Sequence, residues 1–445
     1  MTHYDLIVVG GGFAGVAASV AAAREGLDVL LVEKGNSLGG ACANGLVNPF
    51  MPYWTKVNKN SKGAAGTENG SGSGIPDLPV NKGGRLYLST GIFREILTKL
   101  SEAGALGKNE STFDEEYLKL LLNRLVVGAG VKLLYHSYLT GADSNAGKIN
   151  SITVSNKSGS MKLSADYYID ATGDADLAVI CGFPTRLGRE PDNLCQPMTL
   201  CFRLANVNLE AFERSRHLIT PLYKELQAQG KIKNIREDVL IFSTLVDGML
   251  HFNSTRVVKK NPVDAFDVTD AEIDAREQAY ELYWFLRERI DGFQNSKLIM
   301  TAQQIGVRES RMIVGEYVLT GEDLQACVKF EDSIAAGNYD IDIHNPEGSG
   351  TSHYYFPEGE YYTIPYRSLI PKDSVNLLVA GRCVSATHEA QASIRIMPTV
   401  CCLGEAAGAA IAVTCGSNAG AAGVKYADVA KIQKILRENG AFLGI

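Results

Sequence analysis

Hydrophobic positions fall into distinct textures along the chain, and each texture predicts a different set of elements. In the first, short apolar runs lie between glycines. Asp5 to Val9 reads as a strand, a small-residue helix follows from about Phe13, and Asp28 to Val32 reads as a second strand. In the second, the spacing is helical: Ile92, Ile96 and Leu100 share one face, and Tyr117, Leu120, Leu121 and Leu125 another. Val131 to Leu139 returns to strand character. A β-meander follows, with turns at Ser144–Gly147 and Asn156–Gly159, and runs into a strand from Ala165 to Asp170. From about Pro197 to Pro365 the texture changes again, to a long polar helical run (Val268 to Arg289) and aromatic strands such as YYFPEGEYYTIPY. The glycine-bounded texture then resumes. Val375 to Ala380 is a strand, and a helix from Pro398 to about Val413 needs close backbone packing because Gly404, Gly408 and several alanines line it. Tyr426 to Asn439 closes the chain as an amphipathic helix.

This order predicts an α/β fold built from two intertwined domains. Residues 1–55, 91–196 and 366–445 form a nucleotide-binding domain, a parallel sheet plus β-meander, and residues 197–365 form an inserted α+β domain. Residues 56–90 are a flexible loop or insertion, because GTENGSGSG and its neighbours hold too little apolar area to order themselves; a surface insertion and a lid are both open.

Composition narrows the picture. Net charge is −7, so bulk charge gives a nucleic acid or an anionic membrane no support as partner. No apolar run reaches the roughly 18 residues of a membrane span. The first strand begins at about Asp5, which leaves no room for a signal peptide, and the chain is expected in the cytoplasm. Nine cysteines include no C-x-x-C pair and suit a reducing compartment. No metal site is expected, since the seven histidines fall at no ligand spacing from cysteines.

The first strand runs into Gly10, Gly12 and Gly15, a G-x-G-x-x-G turn that also includes Phe13 and Ala14. Gly10 permits the tight turn, Gly12 lets the backbone approach a pyrophosphate, and Gly15 lets the helix pack on the sheet. Glu33 follows the second strand, 18 residues after Gly15, where a carboxylate accepts from a ribose hydroxyl and repels a 2′-phosphate. By itself this turn fits NAD as well as other dinucleotides.

Two further pieces, DATGD at 170–174 and LLVAGRCVSATHEAQASIRIMPT at 377–399, stand in the order found in flavoproteins with two dinucleotide-binding domains. The chain resembles that superfamily over nearly its whole length. Within it, GVRESRMIVGEYVLTGEDL, IPYRSLIP and AGRCVSATHEA look most like the FAD-dependent oxidoreductases related to the flavoprotein subunits of fumarate reductase and succinate dehydrogenase. The resemblance implies FAD as cofactor on a Rossmann-like FAD-binding domain, with 197–365 as the substrate or capping domain. It places the ADP half on Gly10, Gly12, Gly15 and Glu33, with Lys34, Gly40 and Ala41 near the ribose and pyrophosphate. Tyr138 meets the adenine edge, Ala171, Gly173 and Asp174 flank the pyrophosphate, and Gly381 and Arg382 approach from the flavin side. The helix starting at Pro398 or Thr399 points its N-terminus at the isoalloxazine. Cys42 is expected beside the flavin's dimethylbenzene edge, either as a buried small residue or as a covalent thioether. No second G-x-G-x-x-G follows a strand, so the resemblance implies no dedicated NAD(P)H domain.

For the chemistry, the resemblance points to a hydride passing between a small polar or anionic substrate and the flavin. His388 would move the proton, and Arg395 would bind the anion. Arg308 and Arg311 are expected on one strand, one facing the site and the other pairing with Glu309 or Glu316. All four residues also have a structural reading, as a satisfied histidine and ion-paired arginines. His353, Tyr354 and Tyr355 either line a substrate pocket or form aromatic strand core. The alternative function is a flavoprotein subunit that passes electrons to an iron–sulfur or quinone-linked partner protein.

Overall fold

The computed structural model describes residues 3–56, 84–416 and 423–445. Its organising element is a seven-stranded sheet. Lys132–Leu134, Val29–Val32, His3–Val9, the second half of Gly159–Asp170, and Leu377–Val379 lie side by side and parallel, in that order. The first half of Gly159–Asp170 continues into an antiparallel meander with Lys148–Asn156 and Tyr138–Asn145. The predicted hairpin turns lie between these strands.

Alternate residues of the parallel strands serve two cores, which is why the strands read as unbroken apolar runs. Leu6, Val8 and Leu31 face the helices, while Ile7, Val9, Leu30 and Val32 face the layer formed by Ile149, Ile152, Val154 and Leu163 of the meander. On the helical side, Phe13–Arg24 and Met397–Cys415 touch backbone to backbone. A Cβ on Gly404 would stand 2.0 Å from the Ala14 carbonyl oxygen, and one on Gly408 2.3 Å from that of Ala18. Met397–Cys415 is long and apolar enough, by length and composition, to cross a membrane, but 89% of its most apolar window is buried inside the fold. Its composition is that of a core helix.

The helical stripes are partly as predicted. Ile92, Ile96 and Leu100 are buried on Ile92–Glu102. On Glu115–Gly128, Leu121 and Leu125 face inward with Leu118, Leu122 and Val126, whereas Leu120 is 42% exposed. Most of the predicted loop at 56–90 lies outside the described residues. Its flanks are ordered: Trp54–Lys56 pairs with Arg85–Tyr87, and the Arg85 guanidinium sits 4.1 Å over the Trp54 ring.

The middle of the chain builds a separate four-stranded antiparallel sheet, Ile241–Ser243, Leu250–Phe252, Phe202–Ala205 and Lys297–Thr301 in that order. Phe202, Leu204, Leu250 and Phe252 pack against the helices Leu209–Ala228 and Ala265–Arg289. The other face carries Arg203 opposite His251, both buried. Arg203 forms an ion pair with Glu115, on a helix that packs on the parallel sheet. That pair seats the second sheet on the first unit.

Glu405 projects from the core helix to the start of Ile92–Glu102. Its Oε2 accepts from the Ile92 amide at 2.9 Å, over Gly91, where a Cβ would lie 2.2 Å from the same oxygen. Complete burial pushes this carboxyl up to about 8. Because the folded value lies above the unfolded one, the stability linked to this proton is full below about pH 4.5. It drains away as pH rises toward 8, at up to about 1.4 kcal/mol per pH unit. Glu405→Gln keeps an acceptor for Ile92 and removes the titration. In urea unfolding from pH 5 to 8, the wild type should lose stability relative to Glu405→Gln; a constant difference would refute the assignment.

Candidate active site

Four neighbouring parallel strands end in the residues singled out from the sequence: His3–Val9 at Gly10, Val29–Val32 at Glu33, Gly159–Asp170 at Ala171–Asp174, and Leu377–Val379 at Gly381 and Arg382. The carboxyl ends of parallel strands are where α/β sheets bind ligands. Two of the three turn glycines are required by packing alone. Gly10 has φ +104°, and a Cβ there would lie 2.3 Å from the Ala171 oxygen; a Cβ on Gly15 would lie 1.8 Å from the Gly10 oxygen. Gly12 differs. Its φ of −68° suits any residue, and the nearest atom to a Cβ would be Gly40 Cα at 4.0 Å. It begins Phe13–Arg24 with no side-chain cap, so the first-turn amides of that helix are left for a ligand. Phe13 and Ala14 offer only backbone there, because their side chains are buried.

A second loop lies against this turn. The Gly39 amide donates to the Gly11 oxygen at 2.8 Å, Gly40 has φ +53°, and Ala41 is exposed beside it. Cys42 points into the core, its Sγ 3.1 Å from the Gly39 oxygen, and burial pushes the thiol up to about 12. A neutral buried thiol is a poor nucleophile, which favours the small-residue reading over a thioether. Glu33 accepts from the Gly11 and Gly35 amides, each at 2.6 Å, one on each carboxylate oxygen. The amides fix its position, and each oxygen retains a further lone pair for a hydroxyl. Lys34 is exposed, and Tyr138 is 57% exposed at the first residue of its strand.

The DATGD turn is held from within. Asp170 accepts from the Thr172 amide and hydroxyl and from the Ala178 amide, and burial raises it to about 6. Asp174 receives Ser310 Oγ at 2.5 Å and an Arg382 Nη2 at 2.6 Å. Burial works against its charge, but Arg382 and Ser310 outweigh that and hold the carboxyl below its usual range. Gly173 leaves room for Arg382, whose guanidinium would lie 3.0 Å from a Cβ there. Pro398 and Thr399 begin the core helix, again with no side-chain cap.

The four catalytic candidates separate into three environments. Arg311 leaves the site: its Nε donates to the Asp174 backbone carbonyl at 2.7 Å and its Nη2 to the Asp176 carboxylate. Contrary to the expectation from sequence, it pairs with neither Glu309 nor Glu316. The strand begins only at Arg311, Glu309 is taken by His388, and Glu316 by Lys425. His388 Nδ1 lies 2.7 Å from Glu309 Oε1, and the other oxygen of this fully buried carboxylate receives the Gln196 amide at 2.9 Å. With Nδ1 as donor to the carboxylate, Nε2 is the nitrogen left to accept or deliver a proton.

Arg308 and Arg395 meet at a cationic cluster. Arg308 donates to the Pro197 oxygen and Thr199 Oγ1, both at 2.6 Å, and to Asn253 Oδ1 at 3.4 Å; no carboxylate pairs with it among the described residues. Burial, reinforced by Arg395 and Arg236, pushes it down to about 9. Arg395 is held by Asp342 Oδ2 at 3.3 Å, and its Nε has no hydrogen-bond partner. His344 Nδ1 takes Arg256 Nη2 at 2.9 Å, so its proton sits on Nε2, 3.3 Å from Asp342 Oδ2. Burial drives this imidazole down to about 3, and it is neutral. Asp342, although buried, is held below its usual range by His344, Arg395 and Arg308. Sequence reasoning missed Glu309 as the partner of His388, and it missed Asp342 and His344. The signal for the last two was the alternation Asp340, Asp342, His344 with Ile341 and Ile343, a polar face on a short strand.

The family described as FAD dependent oxidoreductase matches residues 5–436. The chain belongs to this family. Curated relatives match it only over a short segment. Digeranylgeranylglycerophospholipid reductase 2 of Methanococcoides burtonii is 52% identical over 46 residues, 10% of this chain and 11% of that protein. Dihydrolipoamide dehydrogenase of Chaetomium thermophilum is 48% identical over 40 residues, 9% and 8% of the two chains. The match thus spans about a tenth of these relatives. Among solved structures, a geranylgeranyl bacteriochlorophyll reductase-like protein from Thermoplasma acidophilum has TM-score 0.46 at 14% identity, over 98% of this chain and 83% of that one. For p-nitrophenol 4-monooxygenase from Pseudomonas putida the values are 0.42 and 10%, over 99% and 84%.

FAD, the cofactor of this FAD dependent oxidoreductase, fits the residues present. The space above Gly12 is one that a Cβ would narrow, the helix beneath is uncapped, and Glu33 is fixed with lone pairs to spare. A separation of folding from cofactor binding follows. Gly12→Ala should fold, with a melting temperature near that of wild-type protein stripped of FAD, yet purify without the flavin absorbance. Gly10→Ala and Gly15→Ala should fail to fold. A Gly12→Ala protein that keeps stoichiometric FAD would contradict this assignment.

Proposed function

We propose that this oxidoreductase transfers a hydride between FAD and a small anionic substrate, with Arg308 and Arg395 binding the anion and His388 handling the proton. FAD supplies a two-electron donor and acceptor centre at flavin N5. Gly10, Gly12, Phe13, Ala14, Gly15, Glu33, Lys34, Gly40, Ala41, Tyr138, Ala171, Gly173, Asp174, Gly381, Arg382, Pro398 and Thr399 would hold the cofactor, with Cys42 beneath it. The observation that carries the substrate class is Arg308, a half-buried arginine whose guanidinium donates only to neutral oxygens and is crowded by other arginines. A partly desolvated charge without a counterion is costly, and an anionic ligand reduces that cost. Glu309 is a positioning residue that orients His388. The narrower kinship with fumarate reductase and succinate dehydrogenase flavoprotein subunits belongs to this proposal and agrees with an arginine-bound anion.

The middle segment supports a reading without an NAD(P)H domain. Among the described residues, parallel strand pairing is confined to the first sheet apart from a single bridge, Leu319 to Ala386. All nine cysteines are free. A second small substrate or a redox partner protein would close the cycle. Free thiols also suit the cytoplasm, where we place the protein.

Anaerobic bleaching of the oxidised flavin band, screened with carboxylates, sugars, amines and NAD(P)H, should find its fastest substrates among the anions. Arg308→Gln should keep FAD and raise KM for such a substrate by about 100-fold, the usual scale for one partner of a buried charge pair. An unchanged KM would refute the anchor. Glu309→Gln should instead lower kcat by at least about tenfold with KM nearly unchanged, in keeping with a role in proton transfer. A rise in KM alone would assign Glu309 to binding.

A further inference from the structure

We propose that Asp340, Asp342 and His353 form a binding site for one divalent first-row transition cation, such as Mn²⁺ or Zn²⁺. The strands Ile341–His344 and Thr351–Tyr354 make an antiparallel ribbon in which Asp342 lies directly opposite His353. Directly opposed residues share a face, and Asp340, two positions before Asp342, projects to the same side. One ligand atom from each of the three lies within 4.8 Å of the others. Asp340 Oδ2 is 2.5 Å from His353 Nδ1, and Asp342 Oδ1 is 3.8 Å from the same nitrogen. Ligands bound to a cation at about 2.1 Å stand roughly 3 Å apart. The first pair would open, and the second close, by less than about 1 Å.

Asp342 supplies the independent reason to expect a ligand. It is only 6% exposed, and its two oxygens differ. Oδ2 is saturated by Tyr339 Oη at 2.9 Å, His344 Nε2 at 3.3 Å and Arg395 at 3.3 Å. Oδ1 has no hydrogen-bond partner and faces Asp340 and His353. A buried carboxylate oxygen without a donor is expensive, and a cation bound by all three side chains completes it.

Access and ligand chemistry agree. The His353 and Asp340 side chains are 34% and 14% exposed, so a cation can enter and keep water on its remaining positions. Tyr354 and Tyr355 are not strand core, being 36% and 71% exposed. The Tyr355 ring instead stacks on His353 at 5.3 Å and 8°, which fixes the imidazole plane. One imidazole nitrogen with two carboxylate oxygens suits Mn²⁺, Fe²⁺ or Zn²⁺ better than the all-oxygen preference of Ca²⁺ or Mg²⁺. Histidine and cysteine spacing could not reveal this site, because it contains no cysteine and is assembled by strand register. Asp342 would serve the cation through Oδ1 and Arg395 through Oδ2, so the site adjoins the anion cluster without using Arg308.

The test is Mn²⁺ titration of the FAD-loaded full chain after chelator treatment, with free Mn²⁺ read by electron paramagnetic resonance and Zn²⁺ as competitor. One Mn²⁺ per chain should bind, Zn²⁺ should displace it, and Asp340→Asn and His353→Ala should each weaken it at least tenfold. Unchanged flavin spectra would show that the variants are folded, and His353→Gln, at the most exposed of the three positions, provides a second histidine variant. Absence of stoichiometric binding by either metal, or equal binding in wild type and folded variants, would overturn the proposal.

Discussion

The contact between the first and last long helices is the constraint on which the rest of this structure depends. Gly404 and Gly408 bring Met397–Cys415 against the carbonyls of Ala14 and Ala18, closer than any side chain would permit. The helix Phe13–Arg24 starts at the phosphate-type turn, and the core helix starts at Pro398 and Thr399, just after Arg395. Their depth of packing therefore sets how far the N-terminal turn stands from the C-terminal residues of the site. Glu405 extends the same constraint to a third helix by reaching the Ile92 amide. A methyl group at either glycine would displace the two halves of the site together, so composition that looks merely small is geometrically necessary.

Electrostatics then separates roles within one cluster. Arg311 and Arg382 are consumed by Asp176 and Asp174 and brace the strand-end turn. Arg395 is partly neutralised by Asp342, and Arg256 by Glu237. Arg308 alone among these five lacks a carboxylate. Its donors go to oxygens from the second sheet and the chain leading into it, so an anion bound there would lie where the two sheets meet. His388 approaches the same segment through Glu309, the residue next to Arg308. One short stretch, 308–311, thus holds an arginine without a carboxylate partner, a histidine partner, a hydroxyl on Asp174 and a structural arginine.

Much of this was legible in the sequence where local pattern and global fold agree. The strand–glycine–helix–strand opening, the meander turns, the buried C-terminal helix and the residues at the strand ends all follow from periodicity and glycine placement. What was not legible depends on long-range register. Leu120 sits at a helical spacing shared with inward residues but faces solvent, because the helix presents Leu118 and Leu122 instead. Arg308 and Arg311 could be placed near the site but not told apart, since their partners lie more than a hundred residues away in sequence. Asp342 gains its role from a ribbon partner and from Arg395, neither of which spacing reveals.

The central proposal is that this FAD dependent oxidoreductase selects its substrate by negative charge, at the half-buried Arg308, which lacks a carboxylate partner among the described residues. The most direct measurement is a titration of the oxidised, FAD-loaded protein with small carboxylates and their isosteric amides, followed by flavin difference spectra. The account predicts that a carboxylate perturbs the flavin band and binds at least about 100-fold more tightly than its amide, as expected when a buried charge is paired in one case and not the other. Equal affinity for the two, or tighter binding of the amide, would contradict it.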